Sequence, residues 1–217
     1  MATTKNITMK QFNGTDYDTL YPKTVYNQVS GVAPAGYGLG ESTPTLISNC
    51  NIVGNGWYRV NASTANIPDV GLTSGVLRID EATGSLVYQS LYFYVSGKVH
   101  KMERVHSNGT WYPWEWVNPP MVAGVEYRTT EWYLGKPVYT QVISIGAIGS
   151  GSGNVEHGIP DISVVVSLIG TNSYGPTLNT HPYMTVFYAN SQYVRWETTQ
   201  AISGTSYAVL RYTKTTD

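Results

Sequence analysis

The sequence is nearly free of cysteine, poor in charge and without a long apolar run. Its 217 residues hold one cysteine, so no disulfide can form within the chain. Charged side chains make up 12 %, against roughly 25 % in ordinary globular domains. The scarcity of Lys, Glu and Ala argues against a helical bundle or long coiled coil. The longest apolar run is Leu91-Tyr92-Phe93-Tyr94-Val95, far below the roughly 18 residues that span a bilayer, so no membrane insertion is expected. Met1 to Asn6 carries no hydrophobic segment of the secretory kind, which points to a protein made in a cytoplasm.

What is present is aromatic and polar. Eighteen tyrosines and six tryptophans bring the aromatic share to 12 %, too apolar a composition for a disordered chain. The net charge of −1 is evenly spread. Residues 1–40 net +1, and residues 41–120 and 121–217 each hold five basic and six acidic side chains. There is no basic stripe to bind phosphates, so nucleic acid is not an expected partner, and an anionic membrane surface has nothing to attract. Two readings of the Tyr, Asn, Ser, Thr and Gly content stand side by side. It suits a neutral polar partner such as carbohydrate, and it is also what sheets and their turns use.

The chain reads as all-β. Residues 5–13 form an extended segment closed by an Asn13-Gly14 turn, and residues 19–30 a short helix held back by Pro22. Residues 31–45, with Gly31, Pro34, Gly36, Gly38, Gly40 and Pro44, read as a neck. Turn signals then follow closely: Asn55-Gly56, Ser74-Gly75, Thr83-Gly84, Gly97 and Asn108-Gly109. Short strands at this spacing predict an antiparallel unit over residues 41–120, stopped by Asn118-Pro119-Pro120. Residues 121–217 restart with at least five strands, enough for a β-sandwich. One strand face carries Tyr139, Gln141, Ile143 and Ile145, and another carries Ile162, Val164, Val166 and Leu168. Gly149 to Gly153 is read as a loop, Gly170 to Pro182 as a long polar loop, and Asn190-Ser191 and Ser203-Gly204 as hairpin turns.

Catalytic and metal patterns are missing. Neither Ser150 nor Ser152 has glycine two positions before and two after, as a serine-hydrolase elbow requires. His100 and His106 fall about 20 Å apart along one strand and cannot share a metal within it. Asp80 and Glu81 are adjacent and point to opposite faces. No cofactor, no metal and no enzymatic activity are expected. Two clusters invite a binding role. In Trp111-Tyr112-Pro113-Trp114-Glu115-Trp116, read as one strand, Tyr112, Trp114 and Trp116 share a face opposite Trp111 and Glu115. Such rings either stack on sugars or fill a small core; the core reading is preferred. The second cluster is the Gly170–Pro182 loop, where Asn172, Ser173, Asn179 and His181 offer hydrogen bonds beside the Tyr174 ring. Tyr183 and Trp196 adjoin it, His157 lies on a competing loop, and a plain spacer remains the alternative.

Several phrases resemble phage and prophage tail proteins. The first is Lys10-Gln11-Phe12-Asn13-Gly14-Thr15-Asp16-Tyr17-Asp18-Thr19-Leu20-Tyr21-Pro22-Lys23-Thr24. Gly38-Leu39-Gly40, Gly56-Trp57-Tyr58-Arg59, Asn66-Ile67-Pro68 and Gly75-Val76-Leu77 resemble the opening of the pyocin-knob module of tail fibres. Tyr88-Gln89, Arg104, Asn108-Gly109 and Trp111-Tyr112-Pro113-Trp114 resemble its second half. Gly135-Lys136-Pro137-Val138-Tyr139-Thr140 followed by Glu156-His157-Gly158-Ile159 resembles a C-terminal domain of receptor-binding proteins. The resemblance implies a homotrimer at a virion's tail tip: residues 1–40 attach to other tail or baseplate proteins, a knob spans 41–120, and a jelly-roll-like head spans 121–217. It implies structural roles for Arg104, Trp111, Trp114 and Trp116, and host adsorption through a cell-surface saccharide. A baseplate connector without a receptor site, or a polysaccharide depolymerase, would be the alternatives. With no shaft, coiled coil or β-helix in the sequence, a stubby receptor-binding protein fits better than a long fibre.

Overall fold

The structure, a computed structural model, describes residues 9–12, 15, 17–20, 44–52, 54–172, 175–176 and 185–217. Beyond Leu20 the expected helix, and the neck up to residue 43, lie outside the described residues, as do Asn13 and Gly14. Every regular element among the described residues is a strand. β1 (Met9–Phe12) and β2 (Tyr17–Leu20) pair as an antiparallel hairpin.

The next strands form a meander: β3 (Gly56–Asn61), β4 (Ser74–Thr83), β5 (Leu86–Val95) and β6 (Lys98–Ser107). Turn chemistry sets their register. Ser96-Gly97 and Asn108-Gly109 both take positive φ at both residues (50° and 82°, 49° and 83°). That is the geometry that matches the twist of a two-residue hairpin, and glycine adopts it without a Cβ clash. Alternation does the rest. Leu77, Ile79, Val87, Leu91, Phe93 and Met102 are buried on one face. Cys50, Ile47, Ile52, Ile67, Val70 and Leu72, from the irregular segments before and after β3, cover that face and close the first core. The opposite face stays open.

The expected single strand from Thr110 to Val117 is broken. β7 (Thr110–Trp111) pairs with the end of β6, the chain leaves the sheet over residues 112–114, and β8 (Glu115–Trp116) returns beside Met102 and Glu103. Pro113 has no N–H to donate to a ladder, so the alternation written across this segment does not survive. Trp116 then pairs in parallel with Thr129 of β9 (Glu126–Tyr133). This one contact carries the sheet past Pro119-Pro120 into the second half.

β9 pairs with β10 (Lys136–Ile148), and two later strands extend the same sheet in the order β12-β16-β10-β9. Between them in sequence comes β11 (Gly151–Glu156), then β12 (Ile162–Asn172), β13 (Gly175–Pro176), β14 (Thr185–Ala189), β15 (Tyr193–Thr198) and β16 (Ile202–Lys214). β11, β15 and β14 make a separate three-stranded sheet. The two sheets share a second core: Ile143, Ala208, Leu210 and Tyr212 from one, Val194, Val155, Phe187 and Ala189 from the other.

Four local expectations change. Gly151 to Gly153 are strand, paired with Thr198 to Trp196, so the glycine loop shrinks to Gly149-Ser150. Gly170 to Asn172 end β12 rather than open a loop. Ser203-Gly204 lie inside β16, and the turn before it crosses between sheets rather than closing a hairpin. In β12, register shifts between Ile162 and Val164 and between Val165 and Ser167 break the period. Ile162, Val165 and Leu168 face the core, while Val164 is exposed.

Candidate functional site

Arg104 organises the first half. It sits on the core face of β6 at 9 % exposure, where a bare guanidinium would be costly. Its Nε donates to Gln89 Oε1 (2.9 Å), and its Nη2 donates to the Cys50 carbonyl (3.0 Å) and to Asn51 Oδ1 (2.9 Å). Gln89 is oriented in turn by Nε2 donating to the Cys50 and Ile52 carbonyls. The guanidinium carbon lies 4.3 Å from the ring centroids of both Trp111 and Trp114, a cation–π arrangement. Burial lowers the guanidinium pKa to about 10, which leaves it charged at neutral pH, and pushes the Cys50 thiol up to about 11. Trp114 Nε1 donates to the Asn66 carbonyl. Trp116 packs against Phe93, His100 and Tyr127 in the core. Its hydrogen bonds run from β6 to Gln89 of β5 and to Cys50 and Asn51 of the covering segment, so this cluster ties the cover to the sheet.

The open face of the same sheet is different. Trp57 stacks on Tyr92 at 6.3 Å, with Arg78 over Trp57 and Lys101 over Tyr92. Farther along, Tyr88, Tyr112 and Trp132 are 51 %, 50 % and 60 % exposed. These three rings, from β5, the 112–114 excursion and β9, border one open cleft of about 350 Å³. Glu103 and Glu115 lie in it as cross-strand partners on β6 and β8. Lys101 Nζ reaches Glu103 at 2.6 Å, and Arg128 Nε reaches Glu115 at 3.0 Å. Arg128 also contacts the Tyr139 hydroxyl (3.1 Å) and Asp217 (3.3 Å). Sequence reading missed this cleft. Nothing in the sequence marks it, since the excursion at Pro113 and the β8–β9 contact are not local features.

The head candidates are spread out. Asn172 ends β12, its backbone paired with Gly175. Ser173, Tyr174, Asn179, His181 and Tyr183 lie outside the described residues. Trp196 is half-buried on the same strand face as Val194, opposite Gly153 and Phe187. A Cβ on Gly153 would run into its ring, so the indole rests on the glycine. His157 is 6 % exposed. Its Nδ1 accepts from the Ile159 N–H and its Nε2 faces the Asn190 carbonyl at 3.2 Å, so the ring staples two loops. Among the described residues no three His, Cys, Asp or Glu side chains are grouped to hold a metal ion.

No protein-family model matches the chain, and no curated protein matches it. Two solved structures do. One is an N-truncated R2-type pyocin tail fibre, 14 % identical, with 77 % of this chain and 95 % of that one covered and a TM-score of 0.28. The other is a C-terminal fragment of the R2 pyocin fibre of P. aeruginosa, 12 % identical, with 90 % and 70 % covered and a TM-score of 0.28. Superpositions this loose do not define a shared fold.

Proposed function

We propose that this chain is a non-enzymatic receptor-binding protein of a phage tail or tail-like particle, which adsorbs to a bacterial surface saccharide. The observation that carries the reading is the open face of the long sheet. It bears exposed Tyr and Trp rings interleaved with charges that are mostly paired, on a chain of net charge −1. Rings supply the apolar contact a sugar face needs, and a near-neutral surface neither repels nor selects charge. The order of tail-protein phrases along the sequence supports the same reading. In it, residues 1–40 attach to the tail, three copies assemble, and the head loop around Asn172 to Tyr183 makes further receptor contact. Weak single sites suffice, because three linked copies raise avidity by orders of magnitude.

The test is adsorption of the purified chain to a panel of bacterial cells, with extracted surface polysaccharide as competitor. Saturable binding blocked by polysaccharide is expected, with no new reducing ends released. Absence of binding to every strain would favour a connector, and released reducing ends a depolymerase. Sedimentation giving a 23.8 kDa particle would remove the trimer.

A further inference from the structure

We propose that the cleft bordered by Tyr88, Tyr112 and Trp132 is a subsite for one neutral sugar ring, stacked on Trp132 and hydrogen-bonded to Glu115 and Arg128. The proposal rests on the adhesin reading above and names the chemistry of a place in it that the head loop does not cover.

Three observations converge. First, the rings come from three separate segments yet border one cleft, and each is at least half exposed. Strand alternation alone puts aromatic residues on an open sheet face. It does not bring Tyr112 there, because Tyr112 stands on the excursion that leaves the sheet. Second, the volume of about 350 Å³ falls in the range of small-molecule clefts, roughly 300–1,000 Å³.

Third, both carboxylates in the cleft are paired. Glu103 is answered by Lys101, and Glu115 by Arg128. An anionic ligand would meet two carboxylates, and a cationic one would have to displace Lys101 or Arg128 from a formed pair. A polyol does neither, because a hydroxyl donates to a carboxylate and accepts from a guanidinium in one contact. The groups are also fixed before any ligand arrives. Ser90 Oγ donates to Glu103 (3.1 Å), and Arg128 is held by Tyr139 and Asp217 as well as Glu115. Such preorganisation limits the entropy lost on binding.

The experiment follows the six indole N–H signals by NMR in the full chain, with the Trp132 signal identified by its loss in Trp132→Phe. Glucose, galactose, rhamnose and N-acetylglucosamine serve as neutral probes; glucosamine and glucuronate serve as charged ones. At least one neutral probe is expected to move the Trp132 signal along a saturable curve, roughly millimolar and little changed by salt. Trp132→Ala, at an exposed position that should not disturb folding, is expected to weaken binding at least ~10-fold, and Arg128→Met likewise. A Trp132 signal unmoved by every neutral probe, or moved only by charged ones, overturns the proposal. So does a Trp132 indole shielded from acrylamide because a second copy covers it. Cell adsorption by the same wild-type preparation separates the two readings. Adsorption with a silent cleft removes the subsite alone, whereas a responsive cleft without adsorption removes the tail adhesin and leaves a sugar site.

Discussion

Arg104 and Arg128 sit on opposite faces of the same sheet and solve the problem of a half-enclosed guanidinium differently. Arg104 faces the core and meets no carboxylate. Its hydrogen bonds end on a carbonyl and two amide oxygens, and two indoles supply the remaining attraction. Arg128 lies beside the cleft and meets two carboxylates and a phenol. Their pKa shifts run in opposite directions. Burial dominates for Arg104 and pulls it down. Burial also opposes Arg128, but the hydrogen bonds with Tyr139 and Glu115 outweigh it and raise the pKa. Neutral partners hold one charge as a structural rivet, and charged partners hold the other as a surface fixture within reach of a ligand.

The largest effect should come from Arg104→Met. It removes hydrogen bonds to a charged donor, each worth about 1.5–3 kcal/mol, together with the cation–π contacts, about 0.5–2 kcal/mol. A loss of about 3–5 kcal/mol is expected from urea unfolding at unchanged slope. Arg104→Lys should recover little, because a point charge cannot span Gln89, Cys50 and Asn51. Arg128→Met should lower stability by about 1 kcal/mol, since its partners are nearer to solvent and screened, while weakening any sugar response of the cleft by the same ~10-fold or more as Trp132→Ala. Equal losses from the two variants would erase the contrast between the faces.

The sequence made the first half legible because its signals are local. Gly97 and Asn108-Gly109 mark hairpin turns, and the strands fall between the turn signals. Arg104, Trp111 and Trp114 were singled out by phrase and do meet in space, although the face pairing expected for Trp114 with Trp116 failed at Pro113. The second half is less legible. Bulges within β12 shift the inward set from Val164 to Val165, and no periodicity announces a bulge. The choice of Gly151–Glu156 to pair with Tyr193–Thr198 is a long-range matter. The cleft is illegible for a related reason: Trp132 borders the same cleft as Glu115 and Tyr112 because Trp116 of β8 pairs with Thr129 of β9.

The smallest effect concerns Cys50, which reports on the Arg104 side of the contrast without altering stability at neutral pH. The thiol is fully buried. Burial raises its pKa to about 11, partly offset by the Arg104 charge. An ordinary thiol near 8.5 is about one quarter ionised at pH 8, whereas one near 11 is ionised about 0.1 %. Since the thiolate is the nucleophile, alkylation of the folded chain by iodoacetamide at pH 8 should be slowed at least ~100-fold, and full speed should return in denaturant. The sign of the linkage follows. The folded state favours the neutral thiol, so its contribution is intact below the unfolded pKa and is lost as pH climbs through about 11. Alkylation through the folded thiolate should therefore rise about tenfold per pH unit from 8 to 10. Arg104→Met separates charge from enclosure. Losing the cation alone raises the thiol pKa further and slows alkylation. Losing the enclosure admits solvent and speeds it. If Arg104 holds Asn51 and the Cys50 carbonyl over the core, the variant should react faster at pH 8 and with a shallower pH slope. A slower reaction would mean that the cover stays shut without it, and that the hydrophobic contacts of Ile47, Ile52 and Leu72 hold that segment unaided.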